Sequence, residues 1–387
     1  MKNFAKKYLT KSNLIRAAVV IIAAAVCIAG IIALNAFDKV PLVSTEGRTF
    51  EKARVAEITK DNLQEDGNRY GNQELTLYIK TGEYAGQTLK ATSPNGTLFG
   101  AGCTVGMDVV AIISSNDGGT PVVTVYSQDR EYIIYIFVAL FVMCLWLVGG
   151  RKGLKSAFCL GVTLILTLFV YFPLVYRGFP AFWAAAVICI MATLLTIFTV
   201  SGVNVKSVAA VCGTAFGVLV AGVTAVVFGT AAGINGYNVS EVESLLFVAQ
   251  GVPLDVGGLL FSGIIISSLG AVMDVGMSLA STVAEIFEKR PELSVAELFK
   301  SGINVGRDMM GTMSNTLILA FVGGSVAVLM LDYSYDLPYY QLINSYSIGI
   351  EIMQGISGSI GIVLTVPFTS LLAAVLIKKY KRKGQPE

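Results

Sequence analysis

Histidine is missing from all 387 residues of this chain. Its absence removes imidazole acid–base chemistry, Ser–His triads and the commonest zinc sites together. Charge is scarce as well: Asp, Glu, Lys and Arg make up 14% of the residues, against about 25% in soluble domains. Six cysteines occur, none in a Cys-x-x-Cys or other metal-ligand spacing. Cys103 stands alone in the one polar region, which therefore holds no internal disulfide. No Gly-x-x-x-x-Gly-Lys-Ser/Thr loop is found, which excludes an ATP-driven pump for this chain alone. No cofactor and no metal is implied. A net charge of +2 gives no reason to expect nucleic acid as a partner.

What is present is apolar. Hydrophobic residues reach 54% and mean hydropathy is +0.70, the composition of an integral membrane protein whose first partner is the lipid bilayer. Residues 1–16 are short and basic, and 17–37 form an apolar run long enough to span. A cleavable signal peptide has a shorter apolar core, so residues 1–37 read as a cytoplasmic N-terminus and a retained signal-anchor helix.

Residues 38–130 change character. Short segments rich in β-branched residues fall at 52–59, 74–81, 87–92, 107–113 and 122–125. Leu75, Leu77 and Ile79 alternate with Thr76, Tyr78 and Lys80, as a half-buried strand requires. Asp66-Gly67-Asn68, Pro94-Asn95-Gly96 and Asp117-Gly118-Gly119 supply turns. Five strands of this size predict a small β domain, an OB-like barrel or a sandwich.

Beyond residue 131 apolar runs follow one another at 132–149, 156–176, 181–201, 207–232, 256–275, 309–331 and 348–377. With the anchor, these predict an α-helical polytopic membrane protein of eight transmembrane helices. Basic residues set its orientation. Lys2, Lys6, Lys7, Arg151, Lys152 and Lys155 fall on one side with Lys206, Lys289, Arg290 and the tail from Lys378, whereas the short loops opposite carry Arg177 alone. The prediction is therefore N-in/C-in, with the β domain extracytoplasmic between helices 1 and 2. The seven-helix bundle occupies 131–377 and a basic cytoplasmic tail 378–387.

Ser201-Gly202-Val203-Asn204-Val205 recurs as Ser301-Gly302-Ile303-Asn304-Val305, each copy followed by a base and a glycine-rich run. A parallel internal repeat and chance in a glycine-rich sequence both account for it.

Two polar stripes interrupt the apolar helices of the last third. Asp274, Ser278, Ser281 and Glu285 lie at offsets 0, 4, 7 and 11, and so do Asn304, Asp308, Gly311 and Asn315. Such spacing puts each set on one helix face. An ionised Asp274 near mid-membrane costs roughly 2.5–3.5 kcal/mol on insertion scales, which calls for a polar path or for a partner such as Arg307. Asp308 in the first turn of a span beginning near 309 suits the helix dipole; with Thr312 and Asn315 it also extends a polar path. Arg307 suits the cytoplasmic headgroups. Glu351 lies near the outer end of the last span, with Gln354, Ser357 and Gly358 following on its face, or on a surface-lying outer helix. Pro173 and Pro367 are expected to kink their helices, with Thr365 and Thr369 satisfying the carbonyl that Pro367 frees. Residues 281–300 read as a solvated cytoplasmic helix and turn, broken at Pro291.

At Gly270-Ala271-Val272-Met273-Asp274-Val275, and more specifically over Ser301-Gly302-Ile303-Asn304-Val305-Gly306-Arg307-Asp308-Met309-Met310-Gly311-Thr312-Met313-Ser314-Asn315, the chain resembles the YibE/F family of bacterial multi-pass membrane proteins. Gly358-Ser359-Ile360-Gly361 fits too, and the plan of anchor, outer β domain and bundle resembles the longer YibE-like members. The resemblance implies a bacterial cytoplasmic membrane and this layout. It supplies no activity.

Three functions remain open. The first is a membrane transporter or permease for a small solute or ion, proton- or cation-coupled, using a polar pathway of Asp274, Ser278, Ser281, Asn304, Arg307, Asp308, Thr312, Asn315 and Glu351. The second, equally non-enzymatic, is an envelope assembly or accessory protein acting on a partner through residues 38–130. Third comes an intramembrane aspartyl hydrolase pairing Asp274 with Asp308, which lacks the Gly-x-Gly-Asp setting of such enzymes. A homo-oligomer is compatible with each.

Overall fold

The computed structural model describes residues 28–37, 39, 46–65, 68–94, 100–114, 121–239 and 242–382. It divides into two compact units, Pro41–Val148 and Gly149–Glu387 with Met1–Val40.

The first unit holds five strands: β1 (Arg48–Lys60), β2 (Asn72–Ile79), β3 (Thr88–Pro94), β4 (Asp108–Ser114) and β5 (Val122–Gln128). All five strands predicted from β-branched alternation are present. They close in the order β1-β2-β3-β5-β4, antiparallel except for β3 with β5, where Ala91 pairs with Val123. That order is the Greek-key barrel of an OB fold and decides against the sandwich. β1 is long enough to close it because it pairs with β2 along one edge and with β4 along the other, shifting register between Val55 and Glu57. Inward residues such as Leu75, Leu77, Ile79, Val109, Ile113 and Val125 are almost wholly buried.

Asn62, Gln73 and Ser93 are the buried polar side chains among the described residues of this unit. Gln73 donates to the Cys103 carbonyl at 3.0 Å and accepts from the Cys103 N–H at 2.9 Å, fixing the segment before β4 to β2. At the rim Asp108 receives Arg54 at 2.8 Å and Lys80 at 2.6 Å. These bonds, first that of the Arg54 guanidinium, hold the Asp108 carboxyl well below the usual carboxylate range.

The chain leaves the barrel in helix α1 (Glu131–Leu166), which continues through a π turn at Thr167–Tyr171 into α2 (Phe172–Tyr176). This run of 46 residues would be about 69 Å long at 1.5 Å per residue, more than twice a bilayer core. The helical backbone breaks at Gly150 (φ 54°, ψ −133°), between the two spans expected at 132–149 and 156–176. Before the break nearly every large apolar side chain is exposed, Phe137, Trp146 and Val148 among them. Two residues past the π turn stands Pro173, whose missing N–H frees the Phe169 carbonyl. Asn35, from a helical segment at 28–35, donates to that carbonyl at 2.8 Å. The rest of the predicted anchor lies outside the described residues.

The second unit continues with α3 (Ala181–Ser201), α4 (Val205–Ala232), α5 (Val242–Ala249), α6 (Val256–Lys289), α7 (Val295–Gly324), α8 (Val326–Ser334), α9 (Tyr339–Ile343) and α10 (Tyr346–Arg382). Among the described residues five helices are long and apolar enough to cross a membrane, six if α7 and α8 count as one span bent by 65°.

α10 sits against α4, α6 and α7, and glycines set the closeness of approach. Thr369 and Thr365 of α10 press on Gly213 and Gly217 of α4, and a Cβ at Gly302 of α7 would lie 2.7 Å from Ser370 Oγ. These are close helix contacts made by small residues. Thr365 donates to the Gly361 carbonyl, 2.7 Å away, while Thr369 has no partner among the described residues. Neither hydroxyl therefore serves the carbonyl freed by Pro367, since Thr365 is engaged by Gly361 and Thr369 makes no hydrogen bond among the described residues.

Several expected boundaries are corrected. The span at 256–275 is part of a helix reaching Lys289, since the apolar pattern meets no breaker before Pro291, and proline disfavours the α region at Arg290. The span at 309–331 starts at Val295. Ser294 accepts from the Glu297 N–H while Glu297 accepts from the Ser294 N–H, a capping box that nucleates α7 fourteen residues earlier. The region 281–300 is thus two helix ends and a short turn. The repeated pentapeptide differs in backbone between its copies. Gly202 (φ 77°) ends α3 and Asn204 caps α4, whereas Gly302 and Asn304 lie inside α7.

Candidate functional site

Asp274 lies near the middle of the 34-residue α6. Asp308 lies near the middle of the 30-residue α7, far from its first turn, so the helix-dipole explanation for it falls.

Both stripes face outward. α7 turns Gly302 and Gly306 to its neighbours, where Cβ atoms would meet Ser370 and Val366 of α10 and Val283 and Leu279 of α6. The opposite side presents Asn304, Arg307, Asp308, Thr312 and Asn315, all exposed. On α6 Gly263, Ser267, Gly270, Asp274, Ser278 and Glu285 are exposed and Ser281 is half-buried. The anticipated Asp274–Arg307 ion pair does not form. Among the described residues no side-chain hydrogen bond or ion pair reaches Asp274, Arg307 or Asp308.

Glu351 is placed differently. It lies in the second turn of α10, half-buried, opposite the break between α7 and α8. Ser325, the residue at that break, donates its hydroxyl to Glu351 Oε1. Glu351 Oε2 is shielded from solvent and has no hydrogen-bond partner among the described residues. A carboxylate with one oxygen held and the other buried without a donor can bind a proton or a small cation at that oxygen. The neighbouring turn repeats the chemistry in weaker form, with Ser347 Oγ donating to Asp332 at 2.6 Å.

Sequence reasoning missed Ser325 because a lone serine in an apolar run carries no signal by itself. The signal was the glycine pair before it, Gly323-Gly324, which weakens the helix where it bends by 65°. No group of three or more Cys, Asp or Glu side chains among the described residues is arranged to hold a metal ion.

The family model for YibE/F-like proteins matches residues 137–379, most of the chain, from within α1 to near the end of α10. The chain belongs to the YibE/F-like family. Every predicted site residue lies within the matched YibE/F-like segment, while the OB-like barrel lies before it. No curated protein and no solved structure matches the chain.

Proposed function

We propose that this YibE/F-like protein is a transporter or permease of the bacterial cytoplasmic membrane, coupled to protons or a small cation, and that it is not an enzyme. In this reading it crosses the membrane eight times with both termini in the cytoplasm, and the barrel lies outside. Break points support the count: Gly150 divides the first long helix, and Ser325 bends the α7–α8 pair. The observation that carries the functional reading is Glu351 at that bend. Discontinuous helices free backbone polar groups inside a membrane and are a recurring way of building solute and ion sites. A carboxylate held by the break residue, with one oxygen unpaired, ties the charge state of α10 to the geometry of α7.

Reconstituted liposomes test the proposal through proton and monovalent-cation flux. Glu351→Gln keeps the side-chain shape and an acceptor for Ser325 but removes the ionisable group. Flux is expected to fall at least tenfold with the melting temperature unchanged, and Asp274→Asn to lower it as well. Equal flux in wild type and Glu351→Gln would exclude Glu351 from coupling.

The second reading, an envelope accessory protein, is favoured by the barrel itself, since OB folds commonly bind ligands across one face and its loops. Replacing residues 52–127 by a short linker separates the two. A transporter of this design keeps its flux, whereas an accessory protein loses its cellular role while the carboxylate variants retain it.

A further inference from the structure

The exposed polar face of α6 and α7 lies in the part of the molecule where exposure is least affordable. Asp274 and Asp308 are each near the middle of a long apolar helix. They and Arg307 are open on the surface and without side-chain partners among the described residues. Ionised side chains within membrane helices face a protein or water-filled environment and pair with one another or with backbone carbonyls. Among the described residues of the second unit no element covers this face, so these residues offer the charges neither a partner nor a far wall.

The face carries charges of both signs, Arg307 against Asp274 and Asp308, on two helices that pack directly together through Gly302 and Gly306. A surface of this kind is self-complementary under a two-fold axis, which brings a positive group on one copy opposite a negative group on the other. Its remaining residues are small. Nothing lies within 4 Å of a Cβ built at Gly263, Gly270 or Gly311, leaving room for a second helix pair to approach closely, as small residues at membrane helix contacts allow.

We infer that the α6–α7 face is covered by a second copy of this chain, with Arg307 of each copy facing an aspartate, Asp274 or Asp308, of the other. The polar stripe then lies between two protomers and not against lipid. The inference stands on unpaired charge and exposure and holds whether or not the protein moves a solute.

The test uses the full-length protein in lipid bilayers with its six native cysteines replaced. Ser278→Cys and Thr312→Cys lie on the face, and Val187→Cys is an exposed control on α3. Mild oxidation is expected to give a covalent dimer from the first two and none from the control. Single-molecule photobleaching of labelled protein in dilute liposomes is expected to show two steps. Arg307→Gln, which strands the aspartates of the other copy, is expected to weaken dimerisation at least tenfold. Arg307→Gln combined with Asp274→Asn and Asp308→Asn is expected to recover most of the loss, because no charge is left unpaired. The recovering variant also separates lost pairing from lost folding. One-step bleaching at every protein density would overturn the inference. So would cross-linking no greater at residues 278 and 312 than at 187, or a dimer insensitive to Arg307→Gln.

Discussion

Gln73 shows how much one side chain holds in the barrel. It is fully buried and satisfies both backbone groups of Cys103. Gln73→Ala leaves that N–H and carbonyl unpaired in an apolar core, at a cost of about 1–3 kcal/mol. Faster hydrogen exchange at the β2 and β4 amides of the full-length protein is the expected readout, with the bundle amides unchanged. Asp108 adds a pH dependence. Its folded pKa is depressed by Arg54 and Lys80, so its contribution is present in full above the unfolded value of about 3.9 and is lost as pH falls below it. Asp108→Asn should flatten the acid limb of barrel stability between about pH 4 and 2, and an unchanged limb would remove Asp108 as its source. At this scale the sequence pointed to Asp274, Asp308 and Glu351 by residue type and spacing. It did not reveal that Glu351 alone of these has a bonded partner, because that partner, Ser325, is brought there by a bend.

At the scale of elements, glycine decides helix packing, and its positions differ sharply in consequence. Gly217 faces Thr365 and Val272, and a Cβ there would also lie 3.0 Å from the Gly361 carbonyl. Gly217→Ala therefore forces α4 and α10 apart, at a cost of about 1–3 kcal/mol. Gly161, with nothing within 4 Å of an added Cβ, is the contrast. Gly161→Ala is expected to be neutral or to stabilise by up to about 1 kcal/mol through helix propensity. Melting curves of the two variants in the same detergent compare them directly, and equal shifts would refute the packing account. Helix starts and stops were readable only in part. Pro291 was recognised as a breaker, but the capping box of Ser294 and Glu297 three residues later was not, and with it went the true start of α7. Apolarity marks where a helix can be buried in lipid, whereas caps and prolines mark where it ends, and the two need not coincide.

The whole molecule consists of two units with separate cores. Unfolding of the full chain should show a barrel transition and a bundle transition, and Gln73→Ala should move only the first. A single transition shifted as one by Gln73→Ala would mean that the two cores are coupled. Composition and period determined much of this plan. An apolar, charge-poor chain must bury its helices in a bilayer, and strict alternation in β2 assigns its inward side chains without reference to any other strand. Resemblance at 270–275 and 301–315 pointed to the family that the match over residues 137–379 shows. Closure of the barrel through parallel β3 and β5, the position of Asp274 in mid-helix and the outward turn of both polar stripes were decided by tertiary structure. Each depends on which residues distant in sequence occupy the space beside a given face. A spacing of four puts residues on one side of a helix, and only the packing of its neighbours makes that side a core, a path or a surface.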